Sequence, residues 1–464
     1  MTALGRRDFL GSLAACATLH ALPARAVSSG DTKLREVLDG LNAIPGYDAR
    51  LARLEAFDVG ALSQSASLDL RTIRNALAID SQLMRFIPGG KSEGPYRLPP
   101  ASEPGLWRRA NGPLAYRLLL ERHVGERVDP EAAHRRFERE VAALGKRADR
   151  LMRDAGFAQG GVGSRFKAMF GDPRWLYPDD DAGRDAAVAD MNRWLDHARR
   201  ITPTLVGSIP PSSLDVSVRR MSRADEAAGK QGYRQIPSEH QSGVYVVDLK
   251  QIRRRPRWSL HSVVHHELLP GHMVQLPIEA EANVHPLRIA YLPAFSEGWA
   301  VHAEQLMADR GAYRGAPLEE LGHVHWLLFR AVRGLIDTGI HHRRWSLDKA
   351  RAEFDRLQGV PAYFAPFETD LVRIAGEPAV RAAEALIWLS LAGLTPRGNS
   401  RLLCQANSRI LASGRKPLQT IPNIGSDSQN AKFMLQSFPR QGVAANQPGR
   451  EREIRRQMIA GETG

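Results

Sequence analysis

The sequence predicts a mainly α fold: one large helical domain enclosing a cleft, with a small β-hairpin or short sheet near it. Three observations carry that expectation. Over 31–200, and again over 258–394, apolar residues recur three and four positions apart with Arg, Asp and Glu between them, the period of an amphipathic helix. Strand character is sparse and clearest in SGVYVVDL, 242–249, with 233–236 as its pairing partner. Finally, a chain of 464 residues that is 43% hydrophobic has the apolar mass for a large core, which excludes collagenous, low-complexity and wholly disordered classes.

Punctuation along the chain follows the same reading. Pro113 and Pro130 each open a helical pattern, and Gly156 closes one. The Pro- and Gly-rich stretch 87–113 reads as a long loop, and 201–216 (ITPTLVGSIPPSSLDV) as a break. Beyond 424 the composition turns polar and loses its period, so the helical domain is expected over 31–424 and a disordered tail over 425–464. No apolar run reaches the roughly 18–20 residues of a membrane-spanning helix.

Residues 1–26 read as an export signal. Arg6-Arg7-Asp8-Phe9-Leu10 fits the twin-arginine pattern, a mildly apolar stretch follows, and Ala24-Arg25-Ala26 offers small residues to a signal peptidase. Leu13-Ala14-Ala15-Cys16 also fits a lipobox, with Cys16 as a lipidated anchor. The expectation is a periplasmic or secreted protein, with the anchored lipoprotein as the alternative. Without the leader, Cys404 is the remaining cysteine, so neither a disulfide within the chain nor a multi-thiolate metal site is available.

The chemistry concentrates in HSVVHHELLPGHMVQ, 261–275. His266-Glu267 begins like H-E-x-x-H, in which two histidines one turn apart bind a metal and the Glu serves as base. Here the next histidine is His272, which a continuous helix would place on another face. Pro270-Gly271 offers a resolution: proline disfavours helix before it, glycine permits a sharp turn, and His272 can swing back toward His266; the alternative is that Pro-Gly simply ends a helix and these are ordinary histidines. His261 and His265, at i and i+4, form a competing chelating pair. Downstream, YLPAFSEGWAVHAEQL, 291–306, reads as a helix capped by Ser296, with Glu297 as a third ligand and Glu304 two turns on, where it can contact a ligand histidine. Glu297 also fits as a carboxylate at its own helix N-terminus.

In 323–345, His323, Arg330, Asp337 and His341 fall near one line of an otherwise apolar helix, with Arg333 beside it. Such a stripe must be paired or face a cleft. The cleft reading makes His341 an oxyanion stabiliser oriented by Asp337, and Arg330 and Arg333 anchors for a substrate carboxylate. The paired reading makes the stripe a salt-bridge network between helices.

HHELLPGHMVQ, AFSEGWAVHAE and FRAVRGLIDTGIHHRRWS, in that order and spacing, resemble the bacterial "domain of unknown function 885" family, a set similar to helical, gluzincin-like zinc metallopeptidases with an H-E-x-x-P-G-H motif. The resemblance implies a metallopeptidase-like helical domain, His266, His272 and Glu297 as ligands of one zinc ion, and Glu267 as general base. It also implies that SGVYVVDL lies along the substrate backbone. The chain departs from the family near 368–386: Glu368 and Arg373 remain, but the tyrosines and glutamine of the family segment are missing.

These expectations converge on metal-assisted hydrolysis of short peptides, with His341, Tyr245 or an arginine facing the oxyanion. Two histidines and a carboxylate hold other divalent metals as well as zinc. The alternatives are a zinc amidase or esterase acting on a cell-wall fragment or small metabolite, and a non-catalytic metal-binding exported protein. The net charge of +13 invites a nucleic-acid partner, but no zinc-finger, helix-turn-helix or single-strand-binding signature accompanies it, and no specific nucleic-acid binding is expected. The one dense basic run, RRRPRW at 253–258, reads as a solvated linker leading into the histidine helix, with attraction of an acidic or carboxylate-bearing substrate as the alternative.

Overall fold

The computed structural model describes residues 29–394 other than 101, 102 and 208. The predicted leader with Cys16, Cys404 and the predicted tail lie outside the described residues. The fold is mainly helical with a small three-stranded sheet, as the periodicities require.

The chain begins with α1 (Ser29–Asp39), α2 (Tyr47–Glu55), α3 (Gln64–Phe86), α4 (Gly112–Val124) and α5 (Pro130–Asp154). The boundaries of α5 show why these segments become helices. Asp129 accepts from the amides of Glu131 and Ala132, Pro130 fills the first position where no amide bond is needed, and Gly156, at φ +88°, follows the last turn. After α6 (Val162–Gly171) comes α7 (Asp181–Val206), which corrects the break expected from residue 201: the helix runs through Pro203. Proline in a helix interior costs about 3 kcal/mol, but Leu205 and Val206 beyond it are buried, and each such side chain contributes about 1.5–3 kcal/mol.

The sheet follows: β1 (Val216–Arg220), a short α8 (Arg223–Ala227), β2 (Tyr233–Gln235) and β3 (Gly243–Val247). Its order is β1-β3-β2, with β1 parallel to β3 and β2 antiparallel to it. The predicted pair is β2 and β3; β1 is an addition, seated by Val216 and Val218, whose buried side chains share a core with α7.

The remaining helices are α9 (His261–Glu267), α10 (His272–Glu281), α11 (Pro286–Tyr291), α12 (Ala294–Asp309), α13 (Pro317–His341), α14 (Leu347–Leu357), α15 (Phe367–Gly376) and α16 (Val380–Leu394). One apolar core joins α3, α4, α5, α13 and α16; another joins α7, the sheet, α9, α10 and the start of α12. Helix α12 serves both, Val301 in the first and Phe295 and Trp299 in the second. The histidine-bearing α9 and α10 therefore sit in the second core, and α12 joins it to the first. Close approach there depends on small residues: a β-carbon on Gly322 of α13 would sit 2.1 Å from the carbonyl oxygen of Trp258. No described helix is long and apolar enough to cross a membrane.

Candidate metal centre

Helices α9 and α10 are one segment folded back at 268–271. The Leu269–Pro270 peptide is cis, and proline has no amide to continue the ladder. Gly271 lies so close to His265 and His266 that a β-carbon would stand 2.5 and 2.0 Å from their carbonyl oxygens, so no other residue fits. Trp299 Nε1 donates to the Pro270 carbonyl at 3.2 Å and ties the turn to α12. The rings of His266 and His272 consequently meet 5.1 Å apart and nearly perpendicular.

Glu297, in the first turn of α12, faces both. Its Oε2 is 3.4 Å from His266 Nε2 and its Oε1 is 3.6 Å from His272 Nε2. One donor atom from each of the three residues lies within 4.8 Å of the others.

The far sides of both imidazoles are held. His266 Nδ1 donates to Glu304 Oε1 at 2.8 Å, and Glu304 Oε2 accepts from Ser262 Oγ at 2.6 Å. His272 Nδ1 is 3.3 Å from Gln275 Oε1 and 3.2 Å from Ser296 Oγ. Ser296 in turn donates to Gln275 at 3.0 Å, and Gln275 Nε2 donates to Glu279 at 2.8 Å. Acceptors at Nδ1 fix a proton there, so Nε2 is the nitrogen each ring would offer a metal, which must displace any proton carried on it. Ser296 is thus a support for His272 rather than the expected helix cap, since α12 begins two residues earlier, at Ala294.

The donor set fits a divalent cation. His272 Nε2 is buried without a hydrogen-bond partner, and two imidazole nitrogens with one carboxylate are ligands such ions accept. The electrostatics also favour positive charge. Burial pushes the Glu297 carboxyl up, but Arg330, with His266 and His272, holds it well below the ordinary carboxylate range. Burial pushes His266 down, but its hydrogen bonds to Glu297 and Glu304 outweigh this and raise it to about 9. Arg330 Nη1 lies 3.1 Å from Glu297 Oε2, and its Nη2 lies 3.3 Å from His266 Nε2.

Glu267 is bonded to Arg234 of β2. Burial pushes the Glu267 carboxyl up, yet Arg234, then His266 and His272, keep it below its usual value. Arg234 stands opposite Tyr245 in the β2–β3 ladder, and paired residues share a face of a sheet, so Tyr245 comes to the same side. The Tyr245 hydroxyl is 3.4 Å from that of Tyr363. Burial, then Tyr363 and Glu267, push its phenol well above the ordinary value, which keeps it protonated.

Other predicted residues lie elsewhere. His341 is corrected: its Nδ1 accepts from the Leu106 amide at 3.2 Å and its Nε2 donates to the Ile374 carbonyl at 2.9 Å, so neither nitrogen is available to an oxyanion. Asp337 does not orient it. It accepts from Tyr116 Oη and from the amides of Ala379, Arg381 and Ala382, which caps α16. Arg333 is also corrected, because it is buried against Asp370 at 3.4 Å and Glu384 at 3.6 Å and has no charge to spare for a ligand. A helix of 25 residues is about 37 Å long, so one stripe meets different neighbours along it: Arg330 reaches Glu297 and His266, and His323 lies 3.1 Å from Ser262 behind His266. Glu368 pairs with Arg351. His261 is bonded to Glu319, His265 donates to the Leu269 carbonyl at 3.2 Å, and among the described residues no third His, Cys, Asp or Glu completes a group with both.

Arg234, Gln275 and Tyr363 were not singled out from sequence. For Arg234 the one signal was its place on the strand expected to pair with 242–249. For Gln275 it was its position one turn after His272.

Solved structures similar to this fold include two described as lipoproteins. One is described as a "putative lipoprotein" from Colwellia psychrerythraea, at 20% identity and TM-score 0.58, covering 93% of this chain and 69% of that one. The other is described as a "putative lipoprotein of unknown function" from Shewanella oneidensis, at 12% identity and TM-score 0.59, covering 94% and 93%. No curated protein matches the chain. Residues 96–379 match the family model described as bacterial protein of unknown function, DUF885, and with more than half its length matched this chain belongs to that family.

Proposed function

We propose that this protein is an exported zinc-dependent hydrolase, a metallopeptidase that cleaves amide bonds of short peptides. The observation that carries the reading is the convergence of His266, His272 and Glu297, with the ionised carboxylate of Glu267 next in the chain. When bound, zinc supplies Lewis-acid polarisation and lowers the pKa of water toward about 7.

The chain's own residues do the rest. Glu267, kept ionised by Arg234, takes a proton from the attacking water and returns it to the leaving amine. Tyr245, which keeps its phenolic proton, donates to the oxyanion as it develops. Glu304 holds His266, and Ser296 and Gln275 hold His272, each with its Nε2 turned toward Glu297. Arg330 adds positive charge beside the reacting centre.

Export is supported by the twin-arginine-like leader and by the lipoprotein descriptions of the two similar structures. The mass of the mature N-terminus decides between cleavage after Ala26 and lipidation at Cys16.

Protein loaded with zinc is expected to cleave members of a mixed peptide library, to stop on chelation and to resume when zinc is returned. Loaded protein that leaves the whole library intact overturns the peptidase reading.

A further inference from the structure

The arginine run 253–258 is only in part the solvated linker its composition predicts: Arg253 and Arg257 are exposed, but Arg254 is half-buried and Arg255 is buried. Arg254 donates to the carbonyls of Tyr363, at 3.2 Å, and Ala362, at 3.1 Å, and so ties down the connection between α14 and α15. Arg257 stacks on Tyr177 with its guanidinium carbon 4.5 Å from the ring centroid.

Arg255 differs from its neighbours. It is 2% exposed, and its Nε and Nη1 are buried with no hydrogen-bond partner. Its guanidinium carbon lies 3.3 Å from the centroid of the Tyr363 ring. Other deeply buried arginines have their donors engaged: Arg122 faces Asp80, Arg288 faces Asp69, Arg333 faces Asp370 and Glu384, and Arg50 donates to the carbonyls of Ile44, Ser92 and Asn42. Among the described residues Arg255 has no such ion pair. A ring face offsets part of the cost of burying a cation but uses none of its N–H donors. A buried guanidinium with idle donors is suited to a planar anion that takes two of them.

Its position says where that anion would come from. Tyr363 is half-buried, covers Arg255 and directs its hydroxyl to Tyr245. Tyr245 stands opposite Arg234, which holds Glu267. Arg255 therefore lies behind the wall that Tyr245 and Tyr363 form beside the candidate centre.

We propose that Arg255, uncovered when Tyr363 turns aside, is the receptor for a carboxylate of the substrate, either a peptide C-terminus or an acidic side chain. The proposal rests on the peptidase reading for its substrate, but carboxylate binding can be measured without cleavage.

The test is calorimetric titration of the metal-free full chain with three peptides: tetra-alanine as the free acid, tetra-alanine amide, and Ala-Ala-Ala-Glu amide. Wild type is expected to bind at least one carboxylate-bearing peptide about tenfold or more tighter than tetra-alanine amide. The free acid alone gaining affinity identifies the chain terminus, and the Glu amide gaining it identifies a side chain. Arg255→Gln is expected to bind all three alike. Arg255→Lys keeps the charge without the fork, and is expected to retain part of the discrimination even if the Gln variant does not fold. Equal affinities in wild type, no binding of any of the three, or full discrimination in a folded Arg255→Gln overturns the proposal. Protein that discriminates the carboxylate yet cleaves nothing with zinc restored keeps this proposal and loses the peptidase reading.

Discussion

Glu304 Oε1 stands 2.8 Å from His266 Nδ1, so one helix fixes from behind an imidazole that another helix presents. Because Glu304 also accepts from Ser262 at 2.6 Å, its own carboxylate is held on both oxygens. Partners of this kind set the tautomer and basicity of a ligand histidine, and their loss costs about 10–100-fold in metal affinity. Glu304→Gln is expected to weaken zinc binding by that factor in a competition titration with a coloured chelator. Unchanged affinity would place Glu304 outside the metal centre.

The turn that returns His272 to His266 predicts a sharper loss. In Gly271→Ala the new methyl would stand 2.0 Å from the His266 carbonyl oxygen, and overpacking of a fixed site costs about 1–3 kcal/mol or more. Because that backbone carries His266 itself, zinc affinity is expected to fall together with Tm. A variant that melts early but binds zinc normally would show that the turn relaxes without moving the ligands.

His341 gives the opposite pattern. His341→Leu leaves the Leu106 amide and the Ile374 carbonyl without their ring partners, at a cost of about 1–3 kcal/mol for each unsatisfied group. A lowered Tm is expected, with zinc affinity and activity per folded molecule within about twofold of wild type. A large loss of activity at unchanged Tm would restore His341 to the chemistry.

Glu279 predicts a pH dependence of stability. Burial raises its carboxyl from 4.5 to about 9, against the pull of Gln275 and Arg288. Between those values the folded chain holds a proton that the unfolded chain has released. Stability from this group is therefore full below about pH 4.5 and declines as pH rises toward 9, by at most about 1.4 kcal/mol per unit. Tm should fall between pH 6 and pH 8.5 and fall less in Glu279→Gln. Parallel declines in the two proteins would remove Glu279 as the cause.

Much of the architecture was legible because it rests on local rules. Asp129-Pro130 at the start of α5 and Gly156 after its end are cap chemistry, and the alternating 242–249 segment is β3. The return of His272 was legible because Pro270-Gly271 leaves few ways for the backbone to continue. What escaped depends on contacts between distant segments. Pro203 stays helical because the residues beyond it are buried in a core. His341 shares a helical line with Arg330 and Arg333 lies beside it, yet that line runs past several partners. Arg234 and Arg255 read as surface charge in composition, and only the tertiary fold brings one to Glu267 and the other beneath Tyr363.

In the proposed reaction Glu267 moves the proton at a metal centre built from His266, His272 and Glu297. Glu267→Gln keeps the size of the side chain and removes its basicity. Metal content and peptide-cleavage rate are to be measured on the same preparation of this variant. Expected is about one zinc per chain, as in wild type, with cleavage reduced by at least about 100-fold. Cleavage at the wild-type rate by the zinc-loaded variant would remove Glu267 from the proton transfer.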